Sequence, residues 1–186
     1  VKKLQKLPAR HTHQKASTPK TFLKTMVKTN TVTAQNLSFT NIKMLLHYLK
    51  LVGQKILIAG QYQDFLNEGI KRFPNAKTLR YNYNMGPNET AWTGDKIYAE
   101  GLNYDTIIIG CANDKAADVA KKVNQLTEKG KNVIIVSIMS PVYFMQEDWQ
   151  SSILLCYSYS PFSFQASFAV LAGDFEPAGI FPLSAQ

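Results

Sequence analysis

From residue 54 onward, apolar runs of strand length alternate with amphipathic stretches. The runs are 55–59 (KILIA), 78–83 (TLRYNY), 106–110 (TIIIG), 132–138 (NVIIVSI) and 152–157 (SILLCY). Three of them are continuous rather than alternating in hydrophobic residues, the pattern of parallel strands covered on both faces by helices. Helical stretches are expected at 61–73, 91–100, 113–129, 142–149 and 162–171. The plainest is 113–129: Asn113 caps it, Asp114 and Asp118 favour its positive end, Ala116, Val119, Val123 and Leu126 form a stripe, and Lys129-Gly130 closes it. Strands each followed by a helix imply right-handed crossovers. The pattern predicts an α/β fold of three layers: a doubly wound, mainly parallel sheet of five or six strands in flavodoxin-like order.

The leading segment breaks this pattern. Residues 1–18 mix Lys, Gln, His and Thr without a period and include Pro8, so they read as a linker or extended arm. Ser17-Thr18-Pro19 is a helix-start signal, with Phe22, Leu23, Met26 and Val27 on one face behind it. A peripheral strand at 31–34 (TVTA) and a short helix at 42–52 are further expectations. The organisation predicted is a basic arm with a short helix, 1–28, and one domain, 29–186.

Charge sharpens that division. Of 21 Lys+Arg, eight lie in residues 1–28 with no acidic residue among them, while 29–186 holds 13 basic and 13 acidic residues. The net charge of +8 therefore belongs to the arm, and the domain is neutral. Phosphate binding needs a basic face on the folded unit, so a nucleic-acid partner is not expected. No apolar run approaches the ~20 residues of a membrane span. The chain begins at Val1 rather than Met, which leads us to expect a piece of a longer protein, with a cytoplasmic or an exported, cell-envelope location left open. Cys111 and Cys156, the only cysteines, lack metal-site spacing and read as buried free thiols.

Ligands of a doubly wound sheet bind outside the carboxyl ends of its strands. Those ends here are residues 60–64, 84–87, 110–114, 139–143 and 158–161. The first holds a single glycine, so the glycine-rich dinucleotide loop is missing, and no Gly-Lys-Ser/Thr of a P-loop occurs anywhere. Neither a flavin mononucleotide loop nor the acidic positions of a phospho-acceptor domain is present, and no cofactor is expected. Cys111, where strand 106–110 meets its helix, is the candidate nucleophile, since a helix N-terminus lowers a thiol pKa. It needs a base, and the histidines are His11 and His13 in the arm and His47 before the sheet. The acidic neighbours Glu147-Asp148 and Asp174/Glu176 read as solvated turn residues rather than a glycosidic pair. Aromatic residues crowd the last third: Trp149, Tyr157, Phe164 and Phe168 fit the core, whereas Tyr143 and Tyr159 follow strand ends and fit a sugar- or domain-contacting surface.

The same third carries a resemblance. Ser137 to Pro141, Tyr157 to Pro161, Gln165-Ala166, Leu171-Ala172-Gly173 and Gly179-Ile180-Phe181-Pro182-Leu183-Ser184 resemble, in order and spacing, the C-terminal domain of glycoside hydrolase family 3. Upstream, 31–37 (TVTAQNL) and 55–60 (KILIAG) are similar to the family's entry strand and first sheet strand. The resemblance implies that the catalytic Asp nucleophile lies in a separate N-terminal (β/α)8 barrel of ~250 residues, too large for this chain to hold beside its sheet. In the β-N-acetylhexosaminidase branch the proton-transfer His and Asp also belong to the barrel. In the β-glucosidase branch this domain lends a general-acid Glu; Glu89 and Glu147 qualify by location, and neither carries a family motif. The compact Ser158-Tyr159-Ser160-Pro161 turn favours the hexosaminidase-like branch.

The resemblance thus implies an accessory domain of a bacterial family 3 glycosidase, inactive alone. It would be partnered by the barrel and meet carbohydrate through it, with no catalytic residue of its own and Asn113, Ser140, Tyr143, Ser158 and Tyr159 as contact candidates. Two alternatives stand beside it: a self-sufficient flavodoxin-like domain that binds a ligand or protein, and a Cys111-dependent hydrolase. An exposed apolar patch would favour the missing barrel, and a closed polar surface with one deep pocket would favour the self-sufficient domain.

Overall fold

The computed structural model describes residues 54–144, 149 and 152–174. The arm, its helix, segments 31–34 and 42–52, the three histidines, Glu147, Asp148, Glu176 and the closing motif 179–184 lie outside the described residues. Within them the order is β1 (Ile56–Gly60), α1 (Gln63–Arg72), β2 (Lys77–Arg80), α2 (Pro87–Gly101), β3 (Thr106–Cys111), α3 (Asp114–Asn124), β4 (Asn132–Ser137), β5 (Ile153–Leu155) and α4 (Pro161–Leu171). All strand pairs are parallel, in the order β2-β1-β3-β4-β5. This is the flavodoxin-like, doubly wound sheet.

The two faces of the sheet build two cores. Leu57, Ile107, Ile109, Val133 and Ile135 face α2 and α3, meeting Ile97, Val119 and Val123. Ile58, Ile108, Ile134 and Val136 face the other way, onto Phe65, Phe164 and Phe168 of α1 and α4. Continuous apolar runs are required because alternate residues enter opposite cores. The edge strand β2 reads KTLR and exposes Lys77 and Arg80, charges that discourage pairing with a further strand.

Element ends follow local chemistry. The Asn113 side chain caps α3 by accepting from the Ala116 N–H. The helix then tightens into a 3-10 turn, Gln125–Lys129, that stops at Gly130 with φ 74°. Ser160 caps α4 and Pro161 opens it, one residue ahead of the start expected at 162. Other expectations change: the helix expected at 91–100 begins at Pro87, and β5 covers only 153–155 of the expected 152–157. The ladder of β2 ends at Arg80 because its partner β1 ends at Gly60, and Tyr81 turns inward instead of continuing a strand to residue 83. After β4, in place of a helix beginning at 142, a single 3-10 turn (Pro141–Tyr143) stops where Phe144 buries its ring against Trp149. Residues 145–148 lie outside the described residues.

Candidate functional site at the carboxyl edge of the sheet

In this strand order the topological switch point lies between β1 and β3, where a ligand crevice is expected. Here the chain fills it. Gly60 and Gly110 are partners across the two strands, and a Cβ on either would come within 2.8 Å of the Phe65 ring. Both glycines therefore admit an aromatic ring rather than a phosphate. Opposite that ring, Tyr81 buries its side chain and donates its hydroxyl to the Gly110 carbonyl at 2.7 Å. Above, Gln61 Nε2 donates to Asn113 Oδ1 at 3.0 Å, and Gln61 Oε1 accepts from the Ala112 N–H at 3.0 Å. Asn113 Nδ2 in turn donates to the Tyr83 carbonyl at 2.9 Å. The first three strand-end loops are sewn together by buried amides.

That network fixes what the edge presents to solvent. Tyr62 follows β1, Tyr83 follows β2 and Tyr159 follows β5, yet their rings meet. The Tyr62 centroid lies 4.4 Å from that of Tyr159 and 6.0 Å from that of Tyr83. Tyr83 and Tyr159 are 44% and 48% exposed, and Tyr62 is partly buried between them. Burial raises the Tyr62 pKa, and the neighbouring Tyr83 and Tyr159 raise it further. Tyr157 leaves β5 with φ 55°, a left-handed conformation unusual for an aromatic residue, just before the chain delivers Tyr159 to Tyr62. Met139, Val142, Tyr143 and Phe162 are also exposed, at or near the connections around β4 and β5.

Cys111 is not a nucleophile in this arrangement. It is 2% exposed, and its thiol donates to the Ala116 carbonyl at 3.4 Å. Burial pushes its pKa far up, and the hydrogen bond with Tyr81 only partly opposes that shift. No histidine lies among the described residues to act as its base. The helix N-terminus reaches Asn113, not the thiol, because Cys111 is still part of the strand and points into the core. Cys156 is likewise buried, with its pKa raised by desolvation.

The remaining candidates divide by exposure. Asn113 is buried, with its oxygen shared between Gln61 and the Ala116 N–H. Ser140 caps the 3-10 turn, accepting from Val142 N–H at 3.3 Å, while its carbonyl accepts from Ser137. The Ser158 carbonyl accepts from the Cys156 thiol. These three shape loops; Tyr143 and Tyr159 face outward. Glu89 accepts from Asn82 Nδ2 across the loop before α2, and Asp174 pairs with Arg72. Among the described residues no group of acidic, His and Cys side chains could hold a metal, and no helix is long and apolar enough to cross a membrane. An open depression of about 500 Å3 beside α1, lined by Gln63, Asn67, Lys71, Thr78 and Pro161, is not a deep pocket. Sequence reasoning did not single out Gln61, Tyr62 and Tyr83. Position at the end of a strand was the available signal, and Tyr83 was hidden by assignment to the strand itself.

No family model and no curated protein sequence matches the chain. Solved structures do. A glycoside hydrolase family 3 β-N-acetylglucosaminidase from Paenibacillus sp. str. FPU-7 matches over 97% of this chain with a TM-score of 0.63 and 11% identity. A fungal multi-domain GH3 β-N-acetylglucosaminidase with a GCN5-related glucosamine N-acetyltransferase region matches over 71% with a TM-score of 0.53 and 23% identity. At such identities the likeness establishes the fold. The chain spans 35% of the first protein and 16% of the second.

Proposed function

We propose that this chain is an accessory domain of a bacterial family 3 glycoside hydrolase of the β-N-acetylhexosaminidase type, working beside a (β/α)8 barrel that carries the nucleophile. The observation that carries the reading is the fold likeness over 97% of the chain to a β-N-acetylglucosaminidase of that family, of which the chain spans a minor part. The ordered motifs from Ser137 to Ser184 support it from the sequence side. In this reading the arm 1–28 links the two domains, and the barrel covers Met139, Val142, Tyr143 and Phe162, an exposed group of the kind an interface leaves when its partner is missing. The domain then shapes the barrel's sugar site without contributing an acid, base or nucleophile. The filled switch point and the buried thiol of Cys111 favour this role over ligand binding in the usual crevice or thiol chemistry.

The test is hydrolysis of chromogenic β-N-acetylglucosaminide and β-glucoside by the 186-residue chain and by the full product of its reading frame. Activity only in the longer protein, stronger on the N-acetylglucosaminide, is expected. Turnover by the 186-residue chain alone would overturn the reading.

A further inference from the structure

We propose that the arm 1–28 binds the surface of an anionic lipid bilayer, on which residues 20–28 lie as a basic amphipathic helix. Three observations carry it. The first is where the charge sits. No acidic residue occurs before Asp64, so the ten basic residues of 1–53 stand uncompensated, eight of them within the arm, while 54–186 holds 11 basic and 13 acidic residues. The second is how the fold itself arranges charge. Each of α1, α2 and α3 carries both signs, as in Glu68 with Lys71, Asp95 with Lys96 and Asp118 with Lys122. Neighbours there neutralise one another: Glu68 meets Lys71 at 2.6 Å and Asp95 meets Lys122 at 3.2 Å. The third is the period of the arm. At about 100° per residue, Phe22, Leu23, Met26 and Val27 fall within an arc of about 140°, and Lys20, Lys24 and Lys28, four residues apart, fall outside it.

Each observation bears on the partner's chemistry. A polar face of one sign calls for an extended surface of the other. The domain offers none, since its acidic residues are scattered among α1, α2 and α3 and interleaved with bases. The apolar side separates lipid from nucleic acid. RNA or DNA would take the lysines and leave Phe22, Leu23, Met26 and Val27 in water. A bilayer takes both sides, the headgroup phosphates meeting the lysines and the acyl boundary meeting the four apolar side chains. Nine residues are too few to hold a helix in water, so helix formation and lipid binding are one event. Their helical length of about 14 Å is under half of a hydrocarbon core of ~30 Å, so the helix lies on the membrane and does not cross it. Lys2, Lys3, Lys6, Arg10 and Lys15 add charge at the same surface.

This inference does not rest on the hydrolase reading, and an arm that lies on a membrane can still join two domains. The experiment sediments the 186-residue chain, and then the full product of its reading frame, with vesicles of phosphatidylcholine alone or with about 30% phosphatidylglycerol. Binding to the anionic vesicles alone is expected, falling steeply between about 0.05 and 0.5 M salt. Lys20→Glu with Lys24→Glu should weaken it at least about 30-fold, since each base at such a surface is worth about 5-fold. Lys129→Glu with Lys131→Glu changes the net charge equally but on the domain, and should weaken it less than about 3-fold. Phe22→Ser should weaken it about 10-fold by taking the ring out of the acyl boundary. The lipid and salt dependence of the unaltered chain tests the proposal even if a variant fails to fold. Equal binding to neutral vesicles, no binding to anionic ones, or equal loss with the Lys129 and Lys131 changes would overturn it. So would indifference to Phe22→Ser, tighter binding to a single-stranded RNA than to the vesicles, or loss of vesicle binding in the full product. Glycosidase activity is read separately, so failure of either proposal leaves the other standing.

Discussion

Gln61 and Asn113, fifty-two positions apart, face each other side chain to side chain at 3.0 Å across the carboxyl ends of β1 and β3. Through Ala112 N–H, Ala116 N–H and the Tyr83 carbonyl, this pair ties three loops and one helix cap into a single buried network. A buried amide is costly to leave unpaired, so the pair holds the switch point closed.

Asn113→Ala should therefore cost more than an ordinary cap. Loss of the cap is worth about 1 kcal/mol, and the Gln61 amide left without its acceptor adds roughly 1–3 kcal/mol. Urea unfolding is expected to show a combined loss of about 2–4 kcal/mol with an unchanged m-value. A loss under about 0.5 kcal/mol, the range of a neutral surface change, would mean the network is ornamental.

Gly110→Ala tests the steric side of the same closure. The added Cβ would lie 2.8 Å from the Phe65 ring, which is itself packed edge-on against Phe164 at a centroid distance of 5.5 Å and cannot swing away freely. Overpacking of this kind costs about 1–3 kcal/mol. Combining it with Phe65→Leu should restore part of that loss, giving a coupling energy above about 0.5 kcal/mol in a double-mutant cycle. Strict additivity would show that Phe65 is not the obstacle.

The architecture was legible because its signal is repeated. Every buried strand needs apolar residues on both faces, and 106–110 and 132–138 announce that without any knowledge of their neighbours. Asn113 as a cap was equally readable, since capping is local chemistry. The site was not, because its contacts are long-range. Nothing around Tyr62 says that Tyr159, nearly a hundred residues on, reaches it, and nothing around Gly60 says that its missing side chain makes room for Phe65. Cys111 misled for a related reason. Sequence places it beside a helix start, but its pairing with Ser137 of β4 keeps it in the strand, where alternation with Ile107 and Ile109 turns its side chain into the core.

Burial of Cys111 has a pH signature. Its thiol pKa lies well above the ordinary value of 9.0 in the folded chain, while the unfolded chain regains that ordinary value. Stability from this group is therefore fully present below about pH 9 and is lost as pH rises further, because only the unfolded state can then release the proton. The loss approaches about 1.4 kcal/mol for each pH unit above 9. Cys111→Ala should flatten the alkaline fall, and the native chain should resist thiol-labelling reagents at pH 8 until denaturant is added. Rapid labelling of Cys111 without denaturant would contradict its burial.

The exposed apolar group makes the opposite demand, that changes be harmless to the chain and harmful to its partnership. Val142 and Phe162 are 57% and 55% exposed, so Val142→Ser and Phe162→Ser leave no cavity and strand no buried polar atom. Thermal or urea unfolding of the isolated chain should move by no more than about 0.5 kcal/mol, and its solubility should rise as the patch shrinks. In the longer, barrel-bearing protein the same two changes should loosen the interface, lowering glycosidase activity and its thermal persistence together. If they instead unfold the isolated chain, the two side chains belong to its own core and the surface is not a docking face. If they leave both proteins unaffected, the barrel meets this domain elsewhere. The docking role would then pass to the other exposed apolar pair, Trp92 and Leu102 on and beside α2, which the same substitutions can test.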